Sequence, residues 1–273
     1  MKTTRYVDKP NRGLQFYALL FMLFLYIPIL IIPLFSFVDA YFVKFPLAGF
    51  TLNWYVELWH RAPVLQSLKS SLYVASVVSV ISTTIGVFAA KAIARNRLPG
   101  TTAIITLFGL PLVVPGIIFA VAMLVMLNKM GIALSLYTVM AGHMVVCLPY
   151  AIWTLLPRFE GFDPSMEEAS GDLGENGWWT FWRVTFPIML PGVVASLLMT
   201  FTISFDEFIM AFFLSGTQQT LPMFVWGQLR FPAQFPSILA LSTLILVGSF
   251  LVIFLSLWIG RIGMNKTTRE MTQ

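Results

Sequence analysis

Residues 163–187 read Asp163-Pro164-Ser165-Met166-Glu167-Glu168-Ala169-Ser170-Gly171-Asp172-Leu173-Gly174, then Glu175 to Arg183, and close on Val184-Thr185-Phe186-Pro187. This polar, acidic stretch lies between two long apolar runs, and its local code is that of a short helix with a defined start and stop. Either Asp163 caps the helix with Pro164 at its first position, or Ser165 caps it with Glu168 three residues on as a capping box. Gly174 and Gly177 offer positive-φ positions that end the helix and let the chain double back. The pattern predicts a capped acidic helix of roughly two to three turns, held between two membrane spans.

Outward from this stretch the chain is strongly apolar. Of its 273 residues 58% are hydrophobic and only 11% charged, and the mean hydropathy is +0.83. Soluble domains carry about a quarter charged residues, so this is an integral membrane protein. Apolar runs at 14–38, 72–90, 103–127, 132–156, 188–214 and 238–259 are each long enough to cross a hydrocarbon core about 30 Å thick at about 1.5 Å per residue. The first follows Lys2, Arg5, Lys9 and Arg12. It exceeds the core of a signal peptide and lacks a small-residue cleavage site, which makes it an uncleaved span. The expected fold is all-α and polytopic, with six transmembrane helices and the acidic helix between spans four and five.

Orientation follows from lysine and arginine placement. With both termini cytoplasmic, twelve basic residues face inward, among them Lys91, Arg95, Arg97, Arg158, Arg183 and Arg261, and five face outward: Lys44, Arg61, Lys69, Lys129 and Arg230. The acidic loop is then cytoplasmic. It holds Glu160, Asp163, Glu167, Glu168, Asp172 and Glu175, half of the chain's twelve acids, and that concentration calls for a solvated or partner-facing surface. The net charge of +5 does not indicate a nucleic-acid partner, because the basic residues sit scattered at the ends of apolar runs rather than in a patch. Cys147 is the lone cysteine and lies in an apolar run, so it is read as a small packing residue without an intrachain disulfide.

Within the spans, Ser79, Ser82, Thr83, Gly86 and Ala90 place small residues at helical spacings in span two, which predicts a buried helix interface. Span three contains Pro111-Leu112-Val113-Val114-Pro115-Gly116. A Pro-Gly break at membrane depth needs protein or a watery cavity around its freed backbone groups, so span three is either kinked for packing or lines a pathway. His143 reads as a histidine hydrogen-bonded between helices, with no companion at metal-ligand spacing. The outer loop from Asp39 to Lys69 carries Phe50, Trp54, Tyr55 and Trp59, the mixture of an interfacial anchor in contact with lipid.

Span five holds Ser204-Phe205-Asp206-Glu207-Phe208. Asp206 is expected roughly 22 Å along that helix from Pro191, in the outer half of the bilayer. Two acids there cost about 2.5–3.5 kcal/mol each on insertion scales, and the negative end of a helix dipole adds to the cost. Neighbours on a helix project about 100° apart, so one of Asp206 and Glu207 lines a pathway for a cationic solute while the other pairs with a base such as Arg230 or lies against a partner. A purely structural ion pair is the competing reading. No phosphate-binding loop of the form G-x4-G-K-[ST] occurs, and no nucleophile, base and orienting acid form a set. The chain is therefore not an enzyme by itself.

Glu168-Ala169-Ser170, three residues, Gly174, nine residues, then Val184-Thr185-Phe186-Pro187 resembles the EAA loop of the membrane subunits of bacterial ABC importers, E-A-A-x3-G-x9-I-x-L-P. Glu168, Ala169, Gly174 and Pro187 match, whereas Ser170 replaces the second Ala, and Val184 and Phe186 replace Ile and Leu. Across 68–260, Leu148-Pro149-Tyr150, Leu190-Pro191-Gly192 and the Ser204–Phe208 run are similar to permease subunits of spermidine/putrescine-type importers, as is Thr51-Leu52-Asn53-Trp54-Tyr55. The resemblance implies a coupling helix seated in a groove of a separate ATPase, with Glu167, Glu168, Ala169, Gly174 and Pro187 as coupling residues and Asp206 and Glu207 in the substrate pathway. It also implies two ATPase subunits that bind ATP and Mg, a homologous permease in a heterodimer, an external or periplasmic binding protein, and residence in the bacterial inner membrane. No cofactor or metal is expected on this chain. The implied organisation is a tail, first span and outer loop at 1–67, a transmembrane domain at 68–260 with its EAA loop at 157–187, and a cytoplasmic tail at 261–273. A permease for another small solute, a self-contained ion-coupled transporter and a membrane scaffold are the alternatives.

Overall fold

Apolar runs bounded by proline, glycine or polar breaks become helices throughout the computed structural model, which describes residues 12–40, 49–95 and 100–251. Among the described residues, an isolated antiparallel bridge between Val38 and Phe50 is the nearest approach to a strand. The elements are α1 (Arg12–Ser36), α2 (Asn53–His60), α3 (Ala62–Arg95), α4 (Thr101–Val113), α5 (Gly116–Lys129), α6 (Leu136–Glu160) and α7 (Ser165–Asp172). After them come α8 (Gly177–Thr180), α9 (Phe186–Asp206), α10 (Ile209–Leu214), α11 (Leu221–Gln228) and α12 (235–251). A π-helical turn, Phe181–Thr185, joins α8 to α9. Among the described residues five helices are long and apolar enough to cross a membrane, and α4 with α5 makes a sixth if that bent pair counts as one span. The expected all-α architecture is therefore present. The tails at 1–11 and 261–273 and the end of span six lie outside the described residues.

Residues 62–227 form one unit, built on α3, α6 and α9. The small residues of α3 are buried as their spacing predicts: Ser79, Ser82, Thr83, Gly86 and Ala90 all lie inside. At Gly86 the helices α3 and α6 approach closely, since a Cβ there would stand 2.8 Å from Ala151 Cβ and 3.3 Å from the Ala151 carbonyl carbon. Hydroxyls line the α3–α9 seam, with Thr83 Oγ1 3.1 Å from Ser196 Oγ and 3.4 Å from Thr200 Oγ1. Thr200 also donates to the Ser196 carbonyl at 2.8 Å, so its proton has an acceptor on its own helix. On α6, His143 Nδ1 lies 2.9 Å from Ser204 Oγ, and Cys147 Sγ lies 3.6 Å from the Thr200 carbonyl. His143 thus has the interhelical bond read from sequence, and Cys147 is buried as a packing residue should be. Such bonds average about 0.6 kcal/mol in a membrane, so they set register more than they supply stability.

Two spans differ from the sequence expectation. Span three is not one helix, because α4 and α5 meet at 93°. Pro115 has no N–H and drives Val114 into extended backbone (φ −76, ψ 130), and the chain resumes helix from Gly116 with the Pro115 carbonyl accepting from Ile118 and Phe119. Span five does not run through 188–214. It begins earlier, at Gly177, and stops at Asp206, where Glu207 turns extended (φ −72, ψ 111) before α10 starts.

The second unit comprises the described residues within 1–61 and 228–273. Its α1 is apolar on all sides and only Ser36 is buried, as fits a helix facing lipid. The segment after it is pinned by its aromatics: Trp54 Nε1 donates to the Val38 carbonyl at 3.0 Å, Tyr55 hydrogen-bonds Ser36, and the Tyr55 ring stacks on Phe37. Trp59 and Phe50 stay exposed, as an interfacial anchor requires.

Candidate functional site

Helix α7 is assembled by local rules. The Asp163 carboxylate accepts from the Ser165 N–H at 3.0 Å with Pro164 between them, so the first of the two capping alternatives is realised and the Ser165–Glu168 box is not. That hydrogen bond to the ionised form holds the Asp163 carboxyl below its ordinary range. At the other end Gly174 adopts φ +88, and Leu173 N–H and Glu175 N–H close on the Ala169 and Ser170 carbonyls. Gly177 does not have the positive φ expected of it. It opens α8 instead, behind Asn176, whose side chain accepts from Trp179 N–H at 3.0 Å.

The faces of α7 divide sharply. Glu168, Ala169 and Gly174 are exposed, and so is Pro187 in the first turn of α9. Ser170, the departure from the alanine of the EAA pattern, is buried and bonds Thr180 Oγ1 at 3.0 Å, tying α7 to α8. Glu167 also turns inward. Its carboxylate takes Lys91 Nζ at 2.9 Å and Arg95 Nε at 3.4 Å, both from α3, and accepts from the Thr185 hydroxyl of the π-helical turn. Burial alone raises the Glu167 carboxyl, but the Thr185 hydrogen bond and the Lys91 and Arg95 charges outweigh it and hold the group below its ordinary range. Lys91, Arg95, Thr185 and Ser170 belong to this site although sequence reasoning assigned none of them to it. The one advance sign was Ser170, a hydroxyl where the pattern wants a methyl.

Asp206 and Glu207 lie at the opposite end of α9, a helix of 21 residues and so about 30 Å long. Sequence reasoning put both acids on one continuous helix beside a cation. Instead the helix ends between them. Glu207 accepts from the N–H groups of Ile209 and Met210 at 2.9 and 3.2 Å, so the positive start of α10 answers its charge. Asp206 is exposed. Phe208 packs against Phe212 and Trp226 just beyond.

A profile of the family described as binding-protein-dependent transport system inner membrane component matches residues 82–262. The chain belongs to that family. It is a permease subunit, a transport component of the bacterial inner membrane. It is 32% identical over 240 residues to the spermidine/putrescine transport system permease protein PotC of Haemophilus influenzae, covering 87% of this chain and 92% of the relative. PotC of Escherichia coli K12 is 30% identical over 239 residues, covering 87% and 90%. The putrescine transport system permease protein PotI of the same strain is 30% identical over 241 residues, covering 85% of each. The solved structure of a bacterial ABC transporter involved in the import of the acidic polysaccharide alginate includes a chain with the same fold. It has a TM-score of 0.66 at 17% identity, over 88% of this chain and 94% of that one.

Proposed function

We propose that this permease subunit serves an ATP-driven importer of polyamines, with both termini cytoplasmic and α7 seated in a groove of a partner ATPase. The observation that carries the solute class is identity of 30–32% to spermidine/putrescine and putrescine permeases over 85% or more of each chain. The exposed Glu168, Ala169 and Gly174 on a helix capped at both ends support the coupling role, because a lever must be stiff and its contact face free. Pro187 starts the helix that the lever would move. The companions are two ATPase subunits holding ATP and Mg, a homologous permease completing a heterodimer, and an external binding protein. Asp206 is the pathway acid, an exposed carboxylate that attracts an ammonium group, whereas Glu207 shapes the turn beside it.

The test is purification in mild detergent with identification of co-purifying chains, followed by uptake of labelled spermidine into vesicles. ATPase and binding-protein partners with ATP-dependent uptake are expected. Accumulation of spermidine by the isolated chain without ATP refutes the proposal.

A further inference from the structure

Helix α7 is continuous with α6 through residues 161–164 and with α9 through α8, so those two helices follow any displacement of α7 by covalent geometry. Helix α3 has no such connection, since α4 and α5 intervene. An open cleft lined by Phe88, Lys91, Arg95, Pro164, Glu167 and Glu168 keeps the facing surfaces of α3 and α7 apart, so close packing does not join them there. What crosses the cleft is charge. Lys91 and Arg95 both reach Glu167, and Arg95 also donates to the Phe162 carbonyl at 3.3 Å and stacks over the Phe162 ring in the turn before α7. Thr185 donates to the same Glu167 oxygen that Lys91 contacts. The three charged side chains are only 18–26% exposed, which limits screening.

We infer that Lys91, Arg95 and Glu167 form a latch through which movement of α7 is transmitted to α3, Lys91 and Arg95 acting as positioning residues. This rests on the reading of α7 as a coupling helix. A bridge with two cations on one helix and one carboxylate on the other carries tension and torque directly between α3 and α7, beside what reaches α3 through its packing on α6 and α9. It makes α3, which holds one side of the hydroxyl seam, travel with the lever rather than lag behind it.

The experiment uses the complex isolated with its companion subunits, reconstituted with its binding protein, and compares spermidine moved per ATP hydrolysed. For Lys91→Gln combined with Arg95→Gln, the subunits should co-purify and hydrolysis should continue, while transport per ATP falls about fivefold or more, in the range of typical coupling free energies, and Glu167→Gln should lower that ratio as well. Exchanging the charges, Lys91→Glu with Glu167→Lys, should recover most of that loss. Assembled variants with the wild-type ratio, or a charge exchange no better than the single changes, overturn the latch. Where a neutral variant does not assemble, Lys91→Cys with Glu167→Cys joined by a short bismaleimide decides: transport survives if the helices move as one, and its loss overturns the inference. Failure of the wild-type chain to bring down an ATPase refutes the coupling reading itself, a result distinct from an assembled complex with unaltered stoichiometry.

Discussion

Substituting Gly86 by Ala puts a methyl group into a close approach of α3 and α6. The new Cβ would stand 2.8 Å from Ala151 Cβ, 3.3 Å from the Ala151 carbonyl carbon and 3.4 Å from Leu155 Cδ1. Two of those neighbours have no rotamer with which to retreat, so the helices must part by about 0.6 Å to restore ordinary contact. Overpacking of this kind costs about 1–3 kcal/mol. Alanine also favours the helix over glycine by about 1 kcal/mol, which masks part of the cost in the single variant. The informative quantity is therefore the double-mutant cycle with Ala151→Gly, in which helix propensity cancels and the steric term remains. Equilibrium unfolding in mixed micelles of all four proteins should return an interaction energy of about 1–3 kcal/mol, with the double variant more stable than the sum of the singles. An interaction energy below about 0.5 kcal/mol, the ordinary error of additivity, refutes the argument that backbone proximity at Gly86 sets the α3–α6 spacing.

The remaining expectations concern the two ends of α9 and the lever. Gly174→Val fits the available space, since nothing lies within 4 Å of its Cβ position, yet it forces a branched residue to φ +88. The strain of about 1–2 kcal/mol should leave an assembled complex with lost or uncoupled transport, measured as uptake against ATP hydrolysis. Glu207→Ala removes the acceptor for two N–H groups and should lower unfolding stability by about 1 kcal/mol, while Glu207→Gln keeps most of it. Asp206→Asn should leave stability unaltered and reduce spermidine uptake at low concentration about two- to fivefold, the weight of an exposed charge contact of up to about 1 kcal/mol. Because the Glu167 carboxyl lies below its unfolded range, its pairing stabilises the chain above the ordinary glutamate pKa and is lost as pH falls through the depressed one. Glu167→Gln should accordingly flatten the acid limb of a stability profile and leave the neutral region parallel to wild type.

The lever was legible because its code is local. Asp163, Pro164 and Gly174 act on backbone within a few residues, and the two capping alternatives differed only in which residue led. The burial of α3's small residues was also readable, since helical spacing alone puts Ser79, Thr83, Gly86 and Ala90 on one side. What resisted reading was long-range or sub-helical. Lys91 and Arg95 counted only toward orientation, because nothing in their neighbourhood announces a carboxylate more than seventy residues away. The end of α9 was hidden by apolar residues that continue through Phe212 and Phe213 as if the helix did too. Pro115 announced a break in span three, but proline chemistry does not specify how sharp the bend is, and α5 turns far enough to pack on α10.

The hydroxyls between α3 and α9 govern what kind of motion that contact permits. Interlocked leucines resist axial travel, because each must climb out of the hollow it fills, whereas hydroxyls trade one acceptor for the next along a helix face. Thr200 returns its proton to the Ser196 carbonyl, so a slip past Thr83 leaves that donor satisfied, while the Thr83 hydroxyl passes to the next hydroxyl of α9. The middle of the bundle thus works like a greased bearing, firm against prising apart and compliant to gliding.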